Sequence, residues 1–256
     1  MKRLINKAIG PLGYVVTKKS ELSRLNFDQA SRRDLAFLKA MPRSHAGELL
    51  SLMPESQSQL RQDLFVLSEL GFKRNGYFVE FGAASGKELS NSWLLEKYFD
   101  WSGILAEPAK CWHAVLAENR RCTIEHECVW RASGERLEFL ETAEAEISTL
   151  AAYEGVDMHA KARRSGKRYA VNTVTLTELL LRHRSPVEPD YLSIDTEGSE
   201  YEILKDFDFR RFPFKVITCE HNFTPAREMI RSMLSAAGYV RKHEAISDFD
   251  DWYVRG

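Results

Sequence analysis

Three short stretches of the chain concentrate groups able to do chemistry. Asp195-Thr196-Glu197-Gly198-Ser199-Glu200 puts three acids in six residues at a strand-to-helix turn, and Glu220-His221-Asn222 closes a later apolar run. Glu197 and Glu200 suit a helix N-terminus, where negative charge is favoured. Asp195 has no comparable packing role. If their strands are neighbours, Asp195, Glu220 and His221 converge. Two carboxylates and an imidazole suit a hard or borderline divalent cation, Mg2+ or Mn2+. Alternatively His221 is a general base on a hydroxyl, held by an acid. A structural hydrogen-bond network is the third reading.

The remaining stretch is Phe78-Val-Glu80-Phe-Gly82-Ala83-Ala84-Ser85-Gly86, a strand running into glycines. Such a loop lets backbone N–H groups approach a ligand closely. Its spacing is not the G-x-G-x-x-G of dinucleotide enzymes, and the carboxylate of Glu80 would repel a pyrophosphate. A ligand with an ammonium or sulfonium group suits it better. Glu107, followed by Pro108, ends the next apolar run 25 residues after Gly82. An acid there accepts hydrogen bonds from both ribose hydroxyls of an adenosine. Adenosine, no phosphates and a cationic head together describe S-adenosylmethionine. Asn91 and Ser90, after the loop, either touch this cofactor or cap a helix. Gln62 and Asp63, ahead of the first strand, either fold over it or are exposed helix polarity.

Such residues need strands to present them. Short β-forming runs are expected at 77–82, 102–107, near 122–129, near 169–173, at 191–198 and at 215–222. Helical spacing separates them at 88–99, 109–119, 175–183 and 224–238. This alternation predicts an α/β fold, a mostly parallel sheet with helices on both faces. Right-handed crossovers put all strand C-terminal ends on one side, where ligands bind. The last two strands are expected to form an antiparallel pair at one edge, with Trp252 and Tyr253 packed inside. Residues 1–57 read as an N-terminal helical extension broken by Pro11, Pro42 and Pro54, and 58–256 as the main domain. The helix within 56–72 is expected to pack on that domain or to serve an exposed homo-oligomer interface. His113 and His126 are expected to be structural.

Composition narrows the classes further. The 256 residues carry 36 Lys+Arg against 37 Asp+Glu, a net charge of −1, which argues against nucleic acid as a partner. With 44% hydrophobic and 29% charged residues the chain is an ordinary globular one. Cys111, Cys122, Cys128 and Cys219 form no C-x-x-C pair, so buried free thiols in a reducing compartment are expected, and a cytoplasmic location with them. No run approaches the roughly 18 apolar residues of a membrane span. Residues 1–24 carry a local charge of +5, either a solvated helical arm or a peripheral contact with the inner face of a membrane. The basic run 159–168, with Lys161, Arg163, Arg164, Lys167 and Arg168, reads equally as a solvated loop and as a clamp for an anionic acceptor.

The runs GYFVEFGAASGKELSNS, GILAEP, DYLSIDTEGSEYEIL and VITCEHN and the ending DDWYV resemble the FkbM family of S-adenosylmethionine-dependent methyltransferases, over roughly residues 56–254. The resemblance implies a class I methyltransferase (Rossmann-like) sheet. It also implies methyl transfer to a hydroxyl, often of a sugar in a bacterial surface polysaccharide or glycolipid. It puts Glu80, Gly82 and Glu107 at cofactor positions; Ala83, Ser85, Gly86, Asn91, Pro108 and Asp63 are further cofactor-binding candidates around them. Asp195, Glu220 and His221 fall near the acceptor. Ala84 stands where class I enzymes more often have a second glycine. The rivals are a nicotinamide-dependent oxidoreductase on a similar sheet and a non-catalytic nucleoside-binding module.

Overall fold

A computed structural model describes residues 19–142, 145–155, 161, 163 and 166–256. The basic segment 1–18 lies outside the described residues, as does Arg164. Three helices come first, α1 (Lys19–Ala40), α2 (Ala46–Leu52) and α3 (Gln62–Glu69), and then β1 (Tyr77–Phe81), α4 (Trp93–Phe99), β2 (Ser102–Ala106), α5 (His113–Asn119) and β3 (Thr123–Glu125). A smaller unit interrupts the alternation: β4 (Cys128–Val129), β5 (Arg136–Thr142), β6 (Thr149–Leu150) and β7 (Gly166–Val174). The chain resumes with α6 (Leu176–Arg182), β8 (Tyr191–Ile194), α7 (Glu200–Leu204), β9 (Val216–Glu220), α8 (Ala226–Ala236), β10 (Tyr239–Lys242) and β11 (Asp250–Arg255).

The main sheet has seven strands in the order β10-β11-β9-β8-β1-β2-β3. β1, β2, β3, β8 and β9 run parallel, while β11 is antiparallel to both β9 and β10. This is the doubly wound α/β architecture expected from the alternation, with the antiparallel pair at one edge. The chain grows from β1 outward to β3 and then returns to place β8 on the other flank of β1. The crevice between the ends of β1 and β8 is thus the switch point where such folds bind ligands.

Side-chain alternation along the strands builds both cores. Phe78, Leu105 and Trp252 face a layer with Phe37, Leu49, Leu64, Phe65 and Leu95. Their neighbours Val79, Ile104, Ala106 and Tyr253 face the opposite layer, with Leu179, Leu204, Phe214 and Leu234. Sealed on both faces, the parallel strands carry continuous apolar runs rather than polar alternation. Phe37, Met41, Leu49 and Met53 share the first layer with the sheet, so no break in packing falls at residue 57. Arg61 reinforces this join with a two-pronged ion pair to Asp34, 2.8 and 3.1 Å. α3 is buried from Gln62 to Ser68, which corrects the expectation of an exposed interface there.

The run near 122–129 is two strands, not one. β3 stays in the main sheet, while β4 turns off to pair with β7 in a second sheet ordered β4-β7-β5-β6. β5 escaped the sequence reading because only Phe139, Leu140 and Thr142 are buried and the strand otherwise carries charge. Its seven residues pair with β7 from Arg136↔Asn172 to Thr142↔Gly166. Phe139, Leu150 and Val171 pack on Ala109, Cys128 and Trp130, holding this small sheet beside the ligand edge.

Candidate active site

The loop after β1 is shaped by two glycines. Gly82 has φ +72°, and a Cβ there would sit 1.8 Å from the carbonyl oxygen of Asp195. Only glycine lets the ends of β1 and β8 come this close. A Cβ on Gly86, at φ +71°, would meet Leu116 and Arg120. Ala84 also adopts positive φ, +46°, which aims its N–H at Glu107 Oε2, 2.8 Å away. Ser85 Oγ accepts from the backbone N–H groups of Lys87 and Glu88, so it shapes the turn. Ala83 lines the larger of the two cavities described below, whereas Ser85 and Gly86 line neither of those two.

Glu80 anchors this loop. Its carboxylate accepts from Ser90 Oγ (3.0 Å), the Asn91 N–H (2.8 Å) and Ser92 Oγ. Arg120, its side chain fully enclosed, bonds Ser90, Ser92 and the Gly86 carbonyl and lies 3.9 Å from Glu80. Arg120 and Ser92 were not legible in the sequence, since 28 residues separate them. Asn91 donates to Ser193 Oγ at 2.9 Å, leaving its own buried Oδ1 at the cavity wall with no protein partner.

Glu107 stands at the end of β2, accepting from Ala84 N–H and Ala109 N–H, both at 2.8 Å. Burial pushes its carboxyl up to about 7 against these two hydrogen bonds. Glu107, Pro108, Cys128 and Val129 line a cavity of about 50 Å³, roofed by Phe139, Ala145, Glu146 and Leu150.

Next to it a cavity of about 250 Å³ is lined by Glu80, Gly82, Asn91, Asp195, Glu197 and Glu220 among others. Asp195, Glu197 and Glu220 bring carboxylate oxygens within 4.8 Å of one another. Burial raises Asp195 to about 7, while burial and the neighbouring Asp195 push Glu220 well above the usual range. Two bare carboxylates this close repel, so burial and proximity both favour the protonated form of these acids. Glu200, by contrast, accepts from Thr196 N–H and Gly198 N–H, each at 3.0 Å, as a helix-start acid should. Glu197, at φ +59°, turns into the cavity instead of capping. Arg163 reaches it from the basic run: fully enclosed, it donates to Glu197 Oε2 and to the Ile147 carbonyl, both at 2.7 Å. Arg168 pairs with Glu138 and Glu154 on the surface.

His221 is not part of this cluster, and its grouping with Asp195 and Glu220 is corrected. Glu220 and His221 are successive residues at a strand end, so they leave opposite faces. His221 Nδ1 accepts from the Phe223 N–H at 3.0 Å, and Nε2 lies 3.7 Å from Asp251. The ring lines none of these cavities. Burial lowers its pKa, which keeps Nδ1 free to accept.

The structure also leaves Gln62 and Asp63 out of the cofactor space. Asp63 is buried and accepts from Ser56 (2.7 Å) and Ser58 (2.5 Å), tying down the entry to α3. Gln62 donates to Asp250 Oδ2 at 2.9 Å, and burial lifts Asp250 to about 8. His113 and His126 stack at 3.8 Å, with His113 Nε2 3.1 Å from the Glu107 carbonyl oxygen. Cys128 and Cys219 are buried and Cys122 partly so, but Cys111 is exposed.

The family model for the methyltransferase FkbM domain matches residues 80–241. No curated protein matches the chain. Among solved structures, a methyltransferase FkbM from Methylobacillus flagellatus KT aligns over 90% of this chain and 60% of its own, at 13% identity and TM-score 0.47. The chain therefore spans less than two thirds of that protein. A precorrin-6y C5,15-methyltransferase from Geobacter metallireducens GS-15 aligns over 75% of this chain and 88% of its own, at 14% identity and TM-score 0.40. No described helix is long and apolar enough to cross a membrane.

Proposed function

The chain belongs to the FkbM methyltransferase family, and on that premise we propose that it methylates a hydroxyl of a sugar, with S-adenosylmethionine as donor. The observation that carries this reading is the cluster of Asp195, Glu197 and Glu220, with carboxylate oxygens within 4.8 Å of one another, in the wall of a cavity that begins at the glycine loop. The residues fit the cofactor. Glu107 keeps unused lone pairs for ribose hydroxyls, and the orphaned Asn91 Oδ1 is an acceptor for an ammonium group. S-adenosylmethionine supplies the electrophilic methyl group and the leaving sulfide.

The protein's share is alignment and proton management. A sugar hydroxyl is a weak nucleophile and sheds its proton as it attacks. Asp195, held near 7, is matched to take that proton at neutral pH. Glu220, pushed higher than Asp195, keeps its own proton, so Asp195 is the ionised member left to act as base and becomes neutral when it takes the hydroxyl proton. Arg163 donates to the Ile147 carbonyl and to Glu197, which ties the turn Ala145–Ile147 to the cavity wall beside this step.

A divalent cation is a second reading, favoured by the all-oxygen set Asp195, Glu197 and Glu220. Mg2+ or Mn2+ held there would lower the hydroxyl's pKa. Arg163 already brings a positive charge onto Glu197, so the pocket has a cation of its own.

Calorimetric titration with S-adenosylhomocysteine, with NADH as control, tests the cofactor. Micromolar binding of the first and none of the second supports methyl transfer. The reverse would restore the oxidoreductase reading. Methyl transfer to a carbohydrate after rigorous chelation would remove the metal.

A further inference from the structure

A cavity of about 670 Å³, larger than the catalytic one, lies between α1, the turn at 58–61 and the segment 244–248. Gln59 lines both this cavity and the catalytic one, so the two adjoin. Asn222 and Phe223 mark the same border from the other side, Asn222 in the catalytic wall and Phe223 in the larger one. Both residues adopt positive φ, +43° and +56°, a conformation that costs side-chain-bearing residues free energy. The Phe223 ring is 58% exposed. His221 secures this turn: Nδ1 accepts the Phe223 N–H, and the two rings meet edge to face at 5.4 Å.

We propose that this cavity binds the sugar rings that flank the one being methylated, with Phe223 as their stacking platform. This deepens the methyl-transfer reading and rests on it. Three observations carry the choice of occupant. Three of the cavity's four arginines come with anions, Arg61 with Asp34 (2.8 Å), Arg227 with Glu244 (3.4 Å) and Arg33 with Asp248 (4.0 Å), while Arg32 stands exposed at the rim. Such pairs present donors and acceptors side by side, which suits hydroxyls that both give and take hydrogen bonds. A polyphosphate would want the cations without their partners. Between the pairs, Phe37, Leu60, Phe223 and Ile246 supply apolar surface for the C–H faces of sugar rings. Finally, the volume is several times that of one pyranose, so a single ring would leave it largely unfilled. His221 thus acts as a positioning residue, through Phe223, rather than on the reacting atoms.

The experiment is an array of immobilised monosaccharides and two- to six-ring oligosaccharides, probed with the labelled full chain in saturating S-adenosylhomocysteine. Phospholipid and RNA spots serve as rival occupants. Retention on oligosaccharides above the matching monosaccharides is expected. Phe223→Ala should lower it roughly tenfold, the scale of one lost aromatic contact and its buried area. Phe223→Leu, which keeps bulk without a ring, should fall between. S-adenosylhomocysteine affinity should be unchanged in both variants, showing that they fold. No retention on any glycan, retention on lipid or RNA instead, or wild-type retention by Phe223→Ala would overturn the proposal. Glycan retention without S-adenosylhomocysteine binding would sink the methyl-transfer reading and leave the groove standing.

Discussion

Replacing Glu107 by glutamine should weaken S-adenosylhomocysteine binding by about 10- to 150-fold. That range follows from about 1.5–3 kcal/mol for a hydrogen bond to a charged acceptor. In the folded protein Glu107 already accepts two backbone N–H groups, so the ribose hydroxyls would use its remaining lone pairs. Glutamine keeps the shape but offers one acceptor oxygen where two are needed. The pH dependence separates this role from general damage. Because the wild-type carboxyl titrates at about 7, it is about nine-tenths ionised at pH 8 and one-tenth at pH 6. Hydroxyl donors favour the ionised form, so wild-type affinity should rise up to roughly tenfold between pH 6 and 8. Binding at pH 7 should also release a fraction of a proton, visible as a dependence of the heat on buffer ionisation enthalpy. The glutamine variant should lose that part of the slope and of the proton release. Wild-type affinity in the variant, or an unchanged pH slope, would refute the assignment of Glu107 to the ribose.

Asp195→Asn should lower kcat by about 10²–10⁴-fold, the range for a lost general base, with a smaller change in S-adenosylhomocysteine affinity by calorimetry. Gly82→Ala should lower thermal stability by about 2–4 kcal/mol, combining a left-handed alanine with overpacking against the Asp195 carbonyl. Arg163→Ala breaks a buried ion pair and leaves Glu197 in the cavity wall without that cation. A loss of about 3–5 kcal/mol is expected by denaturant titration. Asp250 has a folded pKa of about 8, far above its ordinary value, so its contribution to stability is greatest in acid. That contribution falls as pH rises from near 4 to 8, by up to about 1.4 kcal/mol per unit. Asp250→Asn should therefore melt higher than wild type at pH 9, with the difference closing toward pH 4.

Much of the architecture was legible because its signals are local. The apolar strand runs, helical spacing and glycines after β1 all depend on residues within a few positions of one another. The small sheet was not legible, because β5 buries few of its residues and gains its partner 30 residues away at β7. The basic run 159–168 was ambiguous for the opposite reason. Charge composition alone does not separate Arg163, enclosed on Glu197, from Arg168, paired at the surface.

At the site, residue type and strand-end placement alone pointed to Glu107, Asp195 and Glu220, whose carboxylates line the adjoining cavities at the ends of the parallel strands. Which of their neighbours joined them was decided only in three dimensions. Glu197 entered the cluster because its backbone turns left-handed ahead of α7. His221 left it because consecutive side chains on an extended chain point to opposite faces, whatever their chemistry would favour. Strand order did the rest. Placing β8 between β1 and β9 is a long-range choice made by packing two apolar layers, and it is what brings Gly82, Asp195 and Glu220 to one crevice.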